Sequence, residues 1–162
     1  MSKAIRLLIV DDETEFLAAV EERLGHRGFD IVTADSGEAA IAASEHQKFD
    51  LALVDLQMPG MDGRTLLAAL KERHRYLEVI MLTGHGSIDS AVECTKLGAF
   101  DYLTKPCPID HLVQVLRAAY EHRLRRKFEQ DSKRIEELGR IALGESPLGI
   151  MKRMRELDDD ER

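Results

Sequence analysis

The fold of this chain is decided by residues 49–63, which read FDLALVDLQMPGMDG. The first part of this stretch is a short apolar run closed by Pro59 and Gly60, and it predicts a strand buried on both faces of a parallel sheet. Asp55 follows the run directly, at the carboxyl end of the strand, where ligands bind in open α/β sheets. An Asp in this position also commonly caps the next turn or helix, so Asp55 alone leaves both interpretations open.

Predicted strands and helices alternate along the first three quarters of the chain. Short apolar runs predict five strands, at residues 5–10, 29–34, 49–54, 79–82 and 100–103. Between them apolar residues recur at helical spacing, with Thr14 and Ser36 as predicted helix caps, the third helix predicted over residues 65–71 and the fourth over residues 87–97. This alternation requires a parallel sheet covered on both faces, with right-handed connections. The sequence therefore predicts a doubly wound α/β domain.

The composition indicates a globular protein without a membrane anchor. Hydrophobic residues make up 44% of the 162 residues, and no apolar run approaches the roughly 18 residues that cross a bilayer. The chain start leads into a strand without a signal-peptide pattern, so we expect a cytoplasmic location and no membrane contact. The net charge of −7 lies entirely in residues 1–120, which leaves that part without a basic footprint for nucleic acid. Cys94 and Cys107 have neither metal-ligand nor disulfide spacing, and we expect reduced thiols.

Five polar residues follow the carboxyl ends of four predicted strands: Asp11, Asp12, Asp55, Thr83 and Lys105. If the first and third strands are neighbours, three carboxylates share one small pocket, where their repulsion requires a cation or bound protons. Oxygen ligands of this number suit Mg²⁺. A metal beside a lysine and a threonine is suited to receive a phosphoryl group, with Asp55 as the attacking carboxylate.

These residues together resemble the receiver domain of two-component response regulators. The resemblance covers about residues 4–122 and rests on Asp11-Asp12, on Asp55 followed by MPGMDG, on Thr83-Gly84, and on the stretch DYLTKP at residues 101–106. It implies the flavodoxin-like (βα)5 fold with strand order 2-1-3-4-5. It also implies a phosphorylation-controlled switch that acts in transcription through an output domain or a partner.

The resemblance further implies which residues accept phosphate and hold the metal. Asp55 is expected to receive the phosphoryl group from a sensor histidine kinase. Asp12, Asp55 and the backbone carbonyl of Gln57 are expected to bind Mg²⁺ directly, and Asp11 mostly through water.

Other matched positions imply phosphoryl contacts and a switch. Thr83 and Lys105 are expected to contact the phosphoryl group, and the bond between Lys105 and Pro106 is expected to be cis. Tyr102 matches the aromatic residue that turns inward when Thr83 moves toward the phosphate. The switching face is expected to comprise helix 4, strand 5 and helix 5.

Two rival functions remain open beside the switch. Hydrolases that form an aspartyl phosphate carry the pattern Asp-x-Asp at the nucleophile, and the second acid protonates the leaving group. In this chain Gln57 occupies the position of that second acid. We therefore expect no turnover enzyme, only a protein that assists phosphorylation of its own Asp55. A receiver fold that is never phosphorylated and serves as an adaptor is the other alternative.

The predicted last helix continues past the receiver end, so we divide the chain into a receiver at 1–122, a helical linker at 123–140 and a tail at 141–162. An imperfect heptad-like stripe runs along the linker through Tyr120, Leu124, Phe128, Asp131, Ile135 and Leu138. It predicts either a dimerising coiled coil, hence a homodimer, or a solvated amphipathic helix.

The tail resembles the opening of the AAA+ domain of sigma-54-dependent enhancer-binding regulators. Gly139 and Gly144 have the spacing of a phosphate loop, but Glu145 stands where that loop requires a lysine. We therefore expect no nucleotide site in this tail.

Overall fold

The computed structural model describes residues 3–143 and 147–160 as five strands and six helices. The strands are β1 (Ile5–Val10), β2 (Phe29–Ala34), β3 (Leu51–Val54), β4 (Glu78–Thr83) and β5 (Asp101–Thr104). The helices are α1 (Thr14–Gly25), α2 (Gly37–His46), α3 (Gly63–Arg73), α4 (Ile88–Lys96), α5 (Ile109–Ala142) and α6 (Pro147–Asp160). Within this described part, no helix is both long and apolar enough to cross a membrane.

The five strands form one parallel sheet in the order β2-β1-β3-β4-β5, which confirms the flavodoxin-like fold. Val10 pairs with Val54, so β1 and β3 end side by side. The backbone N–H of Asp55 donates to the Val10 carbonyl at 2.9 Å. The residues that follow these two strands therefore meet at one edge of the sheet.

Alternate residues of each strand fill two separate cores, because successive side chains of a strand point to opposite faces. On one face Leu8, Val10, Ala52 and Val54 pack with α2, α3 and α4. On the other face the intervening residues of the same strands pack with α1 and α5. The continuous burial of β3 and β4 follows from helices covering both faces, as the apolar run of residues 49–54 predicts.

The starts of the first four helices agree with the sequence prediction at α2 and differ from it at α1, α3 and α4. Ser36 caps α2 through its side-chain oxygen, as predicted. Ser87, the predicted first residue of α4, is instead its cap. The predicted cap Thr14 is wrong, because it is the first helical residue and Glu13 occupies the cap position without a side-chain bond. Helix α3 begins at Gly63, two residues before the predicted start, because the Asp62 carboxylate accepts the N–H of Thr65 at 2.9 Å.

Gly63 is packed against the backbone that follows β3. Its N–H donates to the Leu56 carbonyl at 2.8 Å. A Cβ at this position would collide with the Asp55 carbonyl oxygen and lie 2.7 Å from the Leu56 Cα. Only glycine allows α3 to begin this close to the end of β3.

Helix α5 runs without a break through the expected receiver boundary at residue 122 and through Gly139. The middle of α5 is bound to the amino edge of the sheet, opposite Asp55, by the buried Glu78. Oε1 of Glu78 accepts a hydrogen bond from Arg126 Nη1 at 2.6 Å and lies 3.0 Å from His122 Nδ1. Arg126 also donates to the Arg75 carbonyl at 3.1 Å. The division of the chain into receiver, linker and tail stays a prediction.

Helix α6 packs along α5 through ion pairs of Arg134 with Asp158 at 2.7 Å and of Arg153 with Glu137. The apolar stripe on α5 stays exposed at Leu124 (45%), Phe128 (72%), Ile135 (69%) and Leu138 (41%). The phosphate-loop comparison at Gly144 and Glu145 lies outside the described residues.

We expect the substitution Gly63→Ala to lower the free energy of unfolding by about 2 kcal/mol or more, because backbone atoms must shift to admit the methyl group. Gly25→Ala is the matched control, since Gly25 lies in α1 with nothing within 4 Å of its Cβ position. The control is expected to leave stability unchanged or raise it by up to about 1 kcal/mol. Urea denaturation measures both, and equal stabilities would contradict the packing argument.

Candidate functional site

Three carboxylates meet at the carboxyl edge of the sheet, where β1 and β3 end side by side. One oxygen from each of Asp11, Asp12 and Asp55 lies within 4.8 Å of the other two. Asp11 and Asp55 are buried, with 1% and 4% of their surfaces exposed, whereas Asp12 is exposed. The structure therefore brings together the three acids that the sequence predicts.

Lys105 reaches this group from the loop after β5. Its Nζ donates to Asp11 Oδ2 at 2.6 Å and lies 4.0 Å from Asp55 Oδ2. The ammonium also stands 3.8 Å from Glu13 Oε1 and 4.0 Å from the centre of the Phe16 ring. The lysine thus neutralises Asp11 directly and Asp55 at longer range.

Thr83 completes the edge from the end of β4. Its side chain is fully buried, and its Oγ1 accepts the N–H of His85 at 3.1 Å. The Thr83 carbonyl accepts the N–H of Lys105 at 2.8 Å, so the two residues are held by the same strand pair. The peptide bond between Lys105 and Pro106 is cis.

The negative charge of Asp55 is unfavourable in its buried position. Burial raises the pKa of Asp55 above its ordinary value of 3.8, and the neighbouring Asp11 carboxylate raises it further. A hydrogen bond from Thr83, the Lys105 ammonium and the N–H of Leu56 act in the opposite direction. Within residues 3–143 and 147–160, Asp55 Oδ1 is a buried oxygen with no hydrogen-bond partner.

The donor set fits a magnesium ion. All three side chains offer carboxylate oxygens, which are the ligands that Mg²⁺ takes. The buried Asp55 Oδ1 is left without a proton donor, and a cation would satisfy it. Asp12 and Asp55 open onto a cleft of about 550 Å³ that Gln57, Arg64 and His85 also line, which is room enough for a phosphoryl group.

Tyr102 lies on β5, which β4 separates from β3, and it lies apart from the cluster of Asp11, Asp12 and Asp55. Its side chain is half-buried against the core on the α4 side, and its hydroxyl lies 2.7 Å from Ser90 Oγ on α4. The arrangement connects the strand that carries Lys105 to the first turn of α4.

Sequence reasoning missed several residues near the site, and their signals were of unequal strength. Glu13 belongs to the visible acidic run that follows β1, so its place near Lys105 has a sequence signal. Phe16 has only the helical spacing of an apolar residue as its signal, which indicates a place in α1 and not its contact with Lys105. Nothing in the sequence pattern indicates that Ser90 bonds Tyr102 or that His85 bonds Thr83.

Comparison with known proteins gives one family match. The family described as the response regulator receiver domain matches residues 7–117. The transcriptional regulator NtrC of Salmonella typhimurium is 40% identical over 114 residues, which are 70% of this chain and 24% of that protein. GlrR of Escherichia coli is 40% identical over 119 residues, 74% of this chain and 27% of that protein. The chain thus spans about a quarter of the length of these relatives and matches their receiver regions alone.

Solved structures give the same result. The receiver domain of NtrX from Brucella abortus superposes with a TM-score of 0.68 at 35% identity, covering 71% of this chain and 98% of that one. A CheY-like receiver domain protein from Methanospirillum hungatei superposes with a TM-score of 0.73 at 28% identity, covering 76% and 98%. With its fold, its acidic edge and its sequence all in agreement, the chain belongs to the response regulator receiver domain family.

Proposed function

We propose that this receiver accepts a phosphoryl group on Asp55 from a sensor histidine kinase and so works as a switch in a two-component system. The observation that carries the proposal is the unpartnered, buried Oδ1 of Asp55 among two further carboxylates. A structural acid of a sheet edge would have its oxygens bound to backbone N–H groups or to a cation. Here one oxygen is left without a proton donor, as an oxygen that binds a metal would be, and Lys105 and Thr83 lie beside the same carboxylate.

In the proposed transfer, a carboxylate oxygen of Asp55 attacks the phosphorus of the kinase's phosphohistidine. The new P–O bond forms while the P–N bond breaks, and the histidine nitrogen leaves with the electron pair and takes up a proton. The Thr83 hydroxyl donates a hydrogen bond to a phosphoryl oxygen. Lys105, now on Asp11, lies close enough to neutralise the charge that arrives.

Mg²⁺ is the cofactor we propose for this site. Asp12, Asp55 and the backbone carbonyl of Gln57 would hold it, with Asp11 through water, and the bound ion would supply positive charge to the phosphoryl oxygens. Gln57 is exposed at the cleft, and its amide cannot act as the acid that protonates a leaving group. This supports self-phosphorylation of the receiver over turnover of external phosphate esters.

The proposed output is a change of the face formed by α4, β5 and α5, in a cytoplasmic protein that controls transcription. Thr83 and Tyr102 lie on the neighbouring strands β4 and β5, so a shift of one reaches the other. Helix α5 carries the exposed apolar stripe away from this face, which supports a homodimer whose affinity depends on phosphate. The transcriptional role comes from the likeness to NtrC and GlrR.

Phosphorylation by acetyl phosphate with Mg²⁺ tests the acceptor. We expect mass spectrometry to find one phosphoryl group on the wild type, none on Asp55→Asn, and little or none on Asp12→Ala, because that variant loses a metal ligand. Asp35→Asn is the control, since Asp35 is an exposed acid that follows β2 at the same edge. It should be phosphorylated normally. A phosphoryl group on the Asp55→Asn protein would overturn the proposed acceptor.

The raised pKa of Asp55 predicts how stability depends on pH. Because folding favours the protonated form, ionisation of Asp55 costs stability as pH rises above 3.8 through the folded-state pKa. Without Mg²⁺, we expect Asp55→Asn to be more stable than the wild type at pH 7, with the difference shrinking toward pH 3.8.

Added Mg²⁺ should reverse this order. At 100 times its Kd, the ion stabilises a protein by about 2.7 kcal/mol, and Asp55→Asn should gain much less than the wild type. Thermal unfolding at several pH values, with Mg²⁺ and with EDTA, measures both effects. A variant that is less stable than the wild type in EDTA at pH 7 would refute the electrostatic argument.

The dimer is tested by sedimentation with and without beryllofluoride. An allosteric coupling of about 1–3 kcal/mol would change the dimer affinity roughly 5- to 150-fold. Phe128→Ala removes the most exposed side chain of the stripe and should weaken the dimer, whereas the neighbouring Glu129→Ala should not. Identical mass distributions in every sample would make the long helix a passive spacer.

A further inference from the structure

Ser90 makes more hydrogen bonds than its helix requires. It is the third residue of α4 and forms a reciprocal capping box with Ser87, in which the Ser90 N–H donates to Ser87 Oγ at 3.1 Å and the Ser87 N–H donates to Ser90 Oγ at 3.0 Å. A capping box satisfies the open N–H groups of a helix start. The bond to the Tyr102 hydroxyl at 2.7 Å is additional, and it joins α4 to β5.

Three polar groups besides the Ser87 N–H surround Ser90 Oγ: the Ser87 carbonyl at 3.0 Å, Ser87 Oγ at 3.0 Å and the Tyr102 hydroxyl at 2.7 Å. A serine hydroxyl and a tyrosine hydroxyl can each donate or accept, so either oxygen can be the donor in the bond between Ser90 and Tyr102. Ser90 is only 7% exposed, so water has little access to replace either partner.

The same Tyr102 hydroxyl rests on the loop between β4 and α4. A Cβ at Gly86 would lie 2.9 Å from the Tyr102 hydroxyl oxygen and 3.2 Å from its ring. Tyr102 therefore packs on the bare backbone of Gly86, a contact that any larger residue would disturb. The position of the tyrosine and the conformation of the loop depend on each other.

This loop positions the hydroxyl of Thr83. The N–H of His85, one residue before Gly86, donates to Thr83 Oγ1 at 3.1 Å. The Thr83 hydroxyl is one of the groups that oppose the burial-raised pKa of Asp55. A continuous set of contacts thus runs from Ser90 through Tyr102 and the loop to Thr83.

We propose that Ser90 is a positioning residue for phosphoryl acceptance, holding Tyr102 over Gly86 and so favouring the loop conformation in which Thr83 faces Asp55. This inference rests on the proposed function, which supplies the phosphoryl group. It adds a residue on α4 that sets how readily the switch closes. Ser90 touches neither the phosphoryl group nor the metal ligands.

The test is a double-mutant cycle on the full chain with Ser90→Ala, Tyr102→Phe and the combined variant. The readout is the affinity for beryllofluoride at saturating Mg²⁺. Each single variant should bind about fivefold more weakly, the size expected for one hydrogen bond. The combined variant should be no weaker than either one. If Ser90→Ala weakens beryllofluoride binding by the same factor in the wild type and in the Tyr102→Phe protein, the two residues act independently and the proposal is overturned.

Ser87→Ala is the matched control. It removes the Ser87 hydroxyl, with its bonds to the Ser90 N–H and to Ser90 Oγ, and keeps both hydroxyls of the bond between Ser90 and Tyr102. Ser90→Ala keeps the Ser87 oxygen that caps the helix. We expect Ser87→Ala to bind beryllofluoride as the wild type does, and Mg²⁺ alone to bind equally to all variants. A fivefold loss in Ser87→Ala as well would mean that helix capping explains the effect, and the proposal would fall.

Hydrogen exchange separates this inference from the proposed function. Without Mg²⁺ or phosphate, the His85 amide should exchange faster in Ser90→Ala and in Tyr102→Phe than in the wild type. If the wild type binds no beryllofluoride but the His85 amide exchanges faster in both variants, the proposed function fails and the coupling between Ser90 and the loop stands. If the wild type binds and the amide rates are unchanged, the positioning role fails.

Discussion

Repulsion among the three carboxylates of Asp11, Asp12 and Asp55 is the constraint on which the rest of the structure depends. The acids are gathered within 4.8 Å because β1 and β3 pair in register, and two cores hold these strands against the repulsion. Lys105 offsets the cost at Asp11, whereas Asp55 keeps a buried oxygen without a partner. The fold thus supplies the energy that keeps an unfavourable group of charges together.

The sequence predicts the elements of this fold well where they depend on local pattern. The bounds of β1 and β2 are those expected, and each strand is followed directly by an acid, Asp11 or Asp35. The five residues at the strand ends could be gathered at one edge because parallel strands align their carboxyl ends. Helix starts depend on competing caps: Thr14 and the acids before it can all cap α1, and Glu13 occupies the cap position in the structure.

What the sequence could not give are contacts between residues far apart in the chain. The bond of Lys105 with Asp11 spans 94 residues, and no local pattern says which of three acids the lysine chooses. Glu78 is a second case. The sequence predicts β4 from Val79, because a charged residue argues against burial, yet Glu78 is 2% exposed in the strand. Its partners on α5, His122 and Arg126, lie more than 40 residues away.

The ion pair of Glu78 with Arg126 also sets where the long helix α5 can pivot. Because β4 is buried along its whole length, the helix is fixed to the sheet as far as Arg126. Residues 127–142 extend about 24 Å beyond that point at 1.5 Å per residue, and they are held too, by the buried Gln130 and by α6, whose Asp160 pairs with Arg75 at 3.0 Å. A tilt of about 10° at Arg126 would carry the tip about 4 Å sideways and would break that ion pair, so α6 stabilises the angle between the long helix and the sheet.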